Sequence, residues 1–255
     1  MSKNDHLDAR VCNWCGKPFN TQACRNHRVS FQGNRIDLPL YGSIKPFKTK
    51  FVKRKYNDWM DRMRVYSEFI YPEINETTKT IIDLGCGTNQ FVKKIKEMYP
   101  QISAWGYDAY QRDSDIRVLN FEQNPLPFGN EEVDIILLSH ILEHIENIHY
   151  VLDEAFRVGK KIIIVLPNTV GLFTLIKAAS GQDLGSMYGL PLVRPKDRHK
   201  WVYTVTDAMK LIGWYSFKFN RKYNCINFIH RWIPLFLGSI CPNLFSSECM
   251  FIISK

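Results

Sequence analysis

Cys12, Cys15, Cys24 and His27 spell C-x2-C-x8-C-x2-H in VCNWCGKPFNTQACRNH. Three thiolates and one imidazole in two close pairs can close a tetrahedral zinc site, each pair forming a tight knuckle. The pattern predicts a structural zinc ion, because a short polar leader has almost no core and metal binding would supply its folding free energy. Arg10, Lys17, Arg25, Arg28 and Arg35, with Trp14 and Phe19 among them, would also suit contact with RNA. Stapling the leader is the simpler expectation.

A second constellation lies further along. Residues 79 to 83, KTIID, form a short β-branched run that reads as a buried parallel strand; DLGCGTNQF follows at once, and then FVKKIKEMY at helical spacing. Gly85 and Gly87 carry no Cβ to obstruct a ligand, and amide groups at the helix start can face it. Asn89 stands where a third glycine often occurs, and asparagine tolerates a left-handed backbone. The next strand, ISAWGYD, ends in Asp108, placed where a carboxylate can accept hydrogen bonds from ribose hydroxyls.

A third pattern, His140-x-x-Glu143-His144, matches a zinc-peptidase signature. That chemistry needs its ligands on one helix, whereas VDIILLSH reads as a strand with His140 at its end. No distant glutamate is evident as a third ligand, so the peptidase reading is set aside.

The segment from about Lys79 to Asn168 resembles the class I S-adenosylmethionine-dependent methyltransferases. DLGCGTNQF resembles that family's first motif and GYDA the acidic end of its second strand. VLNFEQNPLPFGNEEVDIILLSHILEHI resembles the run through its third strand, a Leu-Pro-Phe turn, its fourth strand and a Leu-Glu-His tail, and KKIIIVLPN resembles its fifth strand. The resemblance implies an α/β fold: a Rossmann-like, doubly wound, seven-stranded sheet, mostly parallel with an antiparallel last strand. It also implies S-adenosyl-L-methionine as cofactor. Gly85, Cys86 and Gly87 would wall its methionine part, Asp83 and Asn89 would join them in binding the cofactor, Asp108 would hold the ribose, and Ala109 would lie beside the adenine. Asn120, Phe121 and Glu122 would frame the adenine amino group, in a region where many relatives carry Asp. Ser139 and His140 would line the floor near the sulfonium, and Asp134 would be structural.

Methyl transfer from a sulfonium is an in-line displacement with a good leaving group, so alignment does most of the catalytic work. A base is needed only where the acceptor loses a proton, as a hydroxyl does. Acceptor-facing residues are expected at the C-terminal edge of the sheet. The stretch after the fifth strand, about 169–201, is long and rich in Gly, Pro and Met, as a lid or binding element would be. Asn168, Arg194, Arg198, His199 and Trp201 are its candidates, with His199 as base and the arginines as anion holders. TVTDAMKLI reads as a helix, WYSFKFNRKYN and CMFIISK as a closing strand pair.

The elements that must position these groups account for an ordinary globular composition: of 255 residues, 45% are hydrophobic and 23% charged. That excludes a fibre, a disordered tail and a disulfide miniprotein. The net charge of +9 is lopsided, since 15 basic and 8 acidic residues fall among the first 79. The expected organisation is a zinc-knuckle leader over 1–44, a basic linker and amphipathic helix over 45–78, and a methyltransferase domain over 79–255. KPFKTKFVKRK is expected to be a solvated run, and Tyr56 to Ile70 a helix ended by Pro72. No transmembrane run and no signal peptide are evident, so a cytoplasmic location is expected. Residues 228–245 are aromatic and apolar enough to touch a membrane peripherally. The expected function is methyl transfer to a small-molecule, saccharide or lipid-linked acceptor. The alternatives are an RNA methyltransferase that uses the basic zinc leader, or a non-catalytic scaffold of the same fold.

Overall fold

The computed structural model describes residues 45–54, 67–182, 184 and 198–255. Eight strands form one sheet, ordered β1-β7-β8-β6-β5-β2-β3-β4. They are β1 Lys48–Lys53, β2 Thr80–Leu84, β3 Ser103–Asp108, β4 Ile116–Val118, β5 Val133–Ser139, β6 Gly159–Pro167, β7 Lys222–Ile229 and β8 Ser246–Ser254. All neighbours run parallel except β8, which is antiparallel to both β6 and β7.

The central strands are buried on both faces, which is why they read as unbroken apolar runs. Ile81, Ile82, Leu84, Ile135 to Leu138 and Ile162 to Leu166 are all buried. The helices α1 Gln90–Met98, α2 Ile148–Val158, α3 Leu172–Ala179 and α4 Val205–Lys218 each sit between or beside strands, and α5 Leu235–Ile240 and α6 Pro242–Phe245 bridge β7 to β8. Helix α1 gives Phe91, Val92 and Ile95 to the core, and α2 gives Val151, Leu152, Ala155, Phe156 and Val158. Asp134 is indeed a brace: its Oδ2 accepts from the amides of Lys79 and Thr80 and from the Thr80 hydroxyl, tying β5 to the start of β2.

The fold departs from the expected seven strands by one. The additional strand is β1, drawn from the lysine run expected to be solvated. Lys48, Thr49 and Lys50 are exposed, but the strand pairs residue for residue with β7 from Lys48 opposite Asn224 to Lys53 opposite Ile229. Lysines suit an edge strand, because charge there discourages pairing with other chains. The stretch WYSFKF is not strand: Trp214 to Lys218 complete α4, and β7 begins at Lys222. The helix expected from Tyr56 is described only over residues 67–70, where it is helical and followed by a 3-10 turn, Tyr71–Glu73. Cys12, Cys15, Cys24, His27 and Arg194 lie outside the described residues. Among the described residues, no helix is long and apolar enough to cross a membrane.

Candidate active site

The turn after β2 is built by backbone conformations that most residues avoid. Gly85 (φ +76°), Gly87 (φ +57°) and Asn89 (φ 59°) are all left-handed. Gly85 also has a steric reason: a Cβ there would stand 2.5 Å from the Ile141 side chain. Over Gly87, by contrast, a Cβ would meet nothing within 4 Å, so this side of the turn is open to a ligand. The amides of Gly85 and Cys86 both donate to Tyr107 O, which fastens the turn to β3. Asn89 caps α1 and is wholly buried beside Gly106, with neither side-chain polar atom hydrogen-bonded.

Asp108 closes the same turn. Its Oδ2 accepts from the Gly87 amide at 3.0 Å and its Oδ1 from the Tyr110 amide at 3.0 Å. Each carboxylate oxygen keeps a second lone pair, so these bonds leave it able to accept hydroxyls as well. Asp83 is nearly buried; desolvation first, and then the charge of Asp108, lift its carboxyl from 3.8 to about 7. Burial, with Asp83 and Asp108 adding to it, pushes the Cys86 thiol up to about 12, so Cys86 remains an uncharged wall. Ala109 is exposed beside Asp108.

The adenine-framing segment follows β4. Phe121 is buried, and Asn120 Oδ1 accepts from the Glu122 amide. Glu122 Oε2 accepts from the amides of Glu146 and Asn147 at 2.7 and 3.1 Å, so it braces the start of α2. An open cleft of about 270 Å³ is lined by Asn120, Glu122, Gln123, Glu146, Asn147 and Lys200. It reaches this segment but not the glycine turn.

At the exit of β5 the chain turns sharply. Ser139 is buried with its hydroxyl unpartnered, and His140 is left-handed at φ 52°. That conformation costs a non-glycine residue energy and marks an imposed geometry. It sets the His140 ring between two buried carboxylates, with Nδ1 3.2 Å from Glu143 Oε1 and Nε2 3.0 Å from Glu248 Oε2. Burial works to raise Glu143, but the hydrogen bond and charge of His140 hold it below the usual carboxylate range. Burial dominates at Glu248, pushing it to about 8, with Arg54 opposing. A protonated imidazole donates from both nitrogens, so the ring can serve both carboxylates at once. Both ring nitrogens of His140 are therefore committed to internal partners.

His199 stands apart from that pair and faces His144, ring centroids 4.8 Å apart and nearly perpendicular. Two bonds hold its segment there: Lys200 N donates to Glu143 O at 2.7 Å, and Trp201 Nε1 donates to Ile145 O at 2.6 Å. Donor atoms of Glu143, His144 and His199 all lie within 4.8 Å of one another, and these residue types can ligate a metal. Asn168, by contrast, is a staple: its Nδ2 donates to Asn243 O and Ser246 O, joining the end of β6 to the start of β8. Arg198 is half-buried beside His199.

Sequence reasoning thus named Ser139, His140 and His199 but passed over three partners. Glu143 and His144 stood in the H-x-x-E-H pattern, and the fold brings His199 beside them. Glu248, in the plain strand SSECMF, carried no signal at all.

Comparison with known proteins agrees with this geometry. Residues 49–230 match the family described as a methyltransferase domain. A stretch of 111 residues is 28% identical to the bifunctional methionine biosynthesis protein MetXA/MetW of Rhodopirellula baltica, covering 38% of this chain but only 18% of that protein. The chain thus spans under a fifth of that relative's length. Among solved structures, a SAM-dependent methyltransferase from Archaeoglobus fulgidus superposes with a TM-score of 0.54 at 14% identity, over 79% of this chain and 96% of that one. The methyltransferase domain of bacterial CtHen1 gives 0.51 at 13% identity, over 77% and 100%. At such identities the likeness is one of fold.

Proposed function

The chain belongs to the methyltransferase-domain family, and from that premise we propose that it is an S-adenosylmethionine-dependent methyltransferase whose acceptor is lipid-linked or otherwise apolar, small molecule or saccharide in its reacting part. The observation that carries the acceptor class is an apolar face at the C-terminal edge of the sheet. Trp232, Phe236 and Ile240 are 75%, 62% and 75% exposed on and before α5, and Phe173 and Ile176 are exposed on α3. The Phe173 ring meets His230 at 4.8 Å, which brings α3 against the residue that follows β7. Exposed apolar area of this kind suits a ligand or an interface with lipid. Arg231 over the Trp232 ring and the Lys53 ammonium on the carbonyls of Arg231 and Ile233 put positive charge beside it.

In this reading Gly85, Cys86, Gly87 and Asn89 enclose the methionine part of the donor, Asp108 takes its ribose, and Ala109 with Asn120, Phe121 and Glu122 surrounds the adenine. The open space over Gly87 and the unpartnered Ser139 hydroxyl fit such a ligand. S-adenosylmethionine supplies a methyl group on sulfur, the C–S bond breaking with its electron pair left on sulfur. The chain's own contribution is alignment and removal of water, worth up to about 7–11 kcal/mol when the reacting atoms are held close. His140 is a positioning residue that fixes the β5 exit through Glu143 and Glu248. The leader over 1–44 would be a zinc-stapled module, the domain expected over 79–255 would extend forward to take in β1 from the basic stretch, and the location would be cytoplasmic.

Calorimetry with S-adenosylmethionine is expected to show one site, and absence of binding at millimolar donor would refute the reading. Isotopically labelled methyl donor added to cell extract should then label the lipid fraction. Label confined to RNA would replace the apolar acceptor with RNA, and donor binding without any labelled product would make the protein a scaffold.

A further inference from the structure

The residues proposed above to hold the donor do not include Glu143, His144 or His199. We propose that these three side chains bind a divalent transition-metal cation at the exit of β5, with an open coordination position for the acceptor's oxygen.

Four observations carry the site. First, one donor atom from each residue lies within 4.8 Å of the others. Metal–ligand distances of about 2.0–2.2 Å put donors about 3.4 Å apart in a tetrahedral shell, a closure that imidazole rotations accomplish. Second, Glu143 is completely buried, and its Oε2 has no hydrogen-bond partner while Oε1 is held by His140. An orphaned oxygen on a buried carboxylate is costly, and a cation would satisfy it. Third, His199 is delivered from 55 residues further along the chain and fastened on both sides of Glu143 and His144. The Lys200 amide grips Glu143 O and the Trp201 indole grips Ile145 O. A surface histidine that met His144 by chance would not need two latches. Fourth, His140 bridges Glu143 to Glu248, the kind of outer partner that orients a ligating carboxylate.

The donor set selects the metal. Two imidazoles and one carboxylate suit zinc, manganese, iron or cobalt better than magnesium or calcium, which prefer all-oxygen shells. Three protein ligands leave at least one position open, as catalytic rather than structural sites do.

The acceptor role rests on the methyltransferase reading. An acceptor hydroxyl on the cation loses its proton to water more readily than it would free in solution. Its oxygen then forms the new bond to the methyl carbon as the C–S bond breaks onto sulfur, giving a methyl ether and S-adenosylhomocysteine with no redox change at the metal. As a neutral ligand, His199 is then not the base.

The test uses the full chain carrying Cys12→Ser and Cys15→Ser, so that the cysteine-rich leader does not contribute. After chelator treatment, titration with Co2+ should show one equivalent bound, with a spectrum lacking the thiolate charge-transfer band. Adding His144→Ala or His199→Ala should abolish that equivalent while S-adenosylmethionine binding and the melting temperature persist. Undiminished cobalt binding in the His144→Ala/His199→Ala pair, or no cobalt bound before those changes, would overturn the site. For the acceptor role, methyl labelling by chelated protein should fall at least tenfold and return with Zn2+ or Mn2+; labelling unaffected by chelation would overturn it. Cobalt binding is read without donor or acceptor, so its failure is distinguishable from failure of the methyltransferase reading.

Discussion

Gly85 and Gly87 share a left-handed backbone but not its surroundings. A methyl group at Gly87 meets only the conformational penalty, about 1–2 kcal/mol. At Gly85 it also strikes Ile141 close to that residue's own Cβ, and overpacking adds about 1–3 kcal/mol. Ile141 adjoins His140, so the disturbance should pass into the β5 exit. Gly85→Ala is therefore expected to lower stability by about twice as much as Gly87→Ala, as denaturant melts would show; equal losses would contradict the packing argument. Asp83 offers a test by pH. Its folded-state value, about 7, lies above the ordinary 3.8, so the folded chain holds a proton that the unfolded chain has released between those values. Stability from this group is fully present below about pH 4, is lost as pH rises through 7, and stays lost above it. Asp83→Asn should then melt higher than the parent, on the order of a few kcal/mol at pH 8, with the gap closing toward pH 4. A gap that did not change with pH would sink this account. The glycine turn was legible because its residues are local: a strand, two glycines and an aspartate at the next strand end. The Glu143–His144–His199 cluster and Glu248 were not, because their partners are brought together only by the folded sheet edge.

Among the elements, α4 shows how a helix start can be written in four residues. Thr204 Oγ1 accepts from the Asp207 amide at 3.2 Å, and Asp207 Oδ2 accepts from the Thr204 amide at 3.1 Å, a reciprocal capping box. Thr204→Ala should cost about 1 kcal/mol, or roughly 2–4 °C in Tm for a domain of this size; an unchanged Tm would mean that water replaces the cap fully. TVTDAMKLI was legible as a helix from sequence, whereas the helix end did not announce itself. WYSFKF alternates well enough to pass for a strand, yet Tyr215 and Ser216 are buried on α4. The buried parallel strands β2, β5 and β6 were legible as apolar runs. The edge strand β1 was not, because KTKFVK has lysines where a core strand has isoleucines and its partner lies far along the chain.

For the molecule as a whole, the order of the sheet differs from the order of the chain. Strand β1 comes first in sequence among the eight, yet among the described residues its neighbour is β7 alone, and the contact between Lys53 and Arg231 joins residues 178 positions apart. During synthesis at about 5–20 residues per second, KTKFVK must wait on the order of ten to forty seconds before its partner strand exists. In that interval β5 and β6, both intensely apolar, are synthesised. Lysines discourage a strand from pairing with the wrong neighbour, so the three that obscured KTKFVK as a strand also suit it to a long wait for its partner.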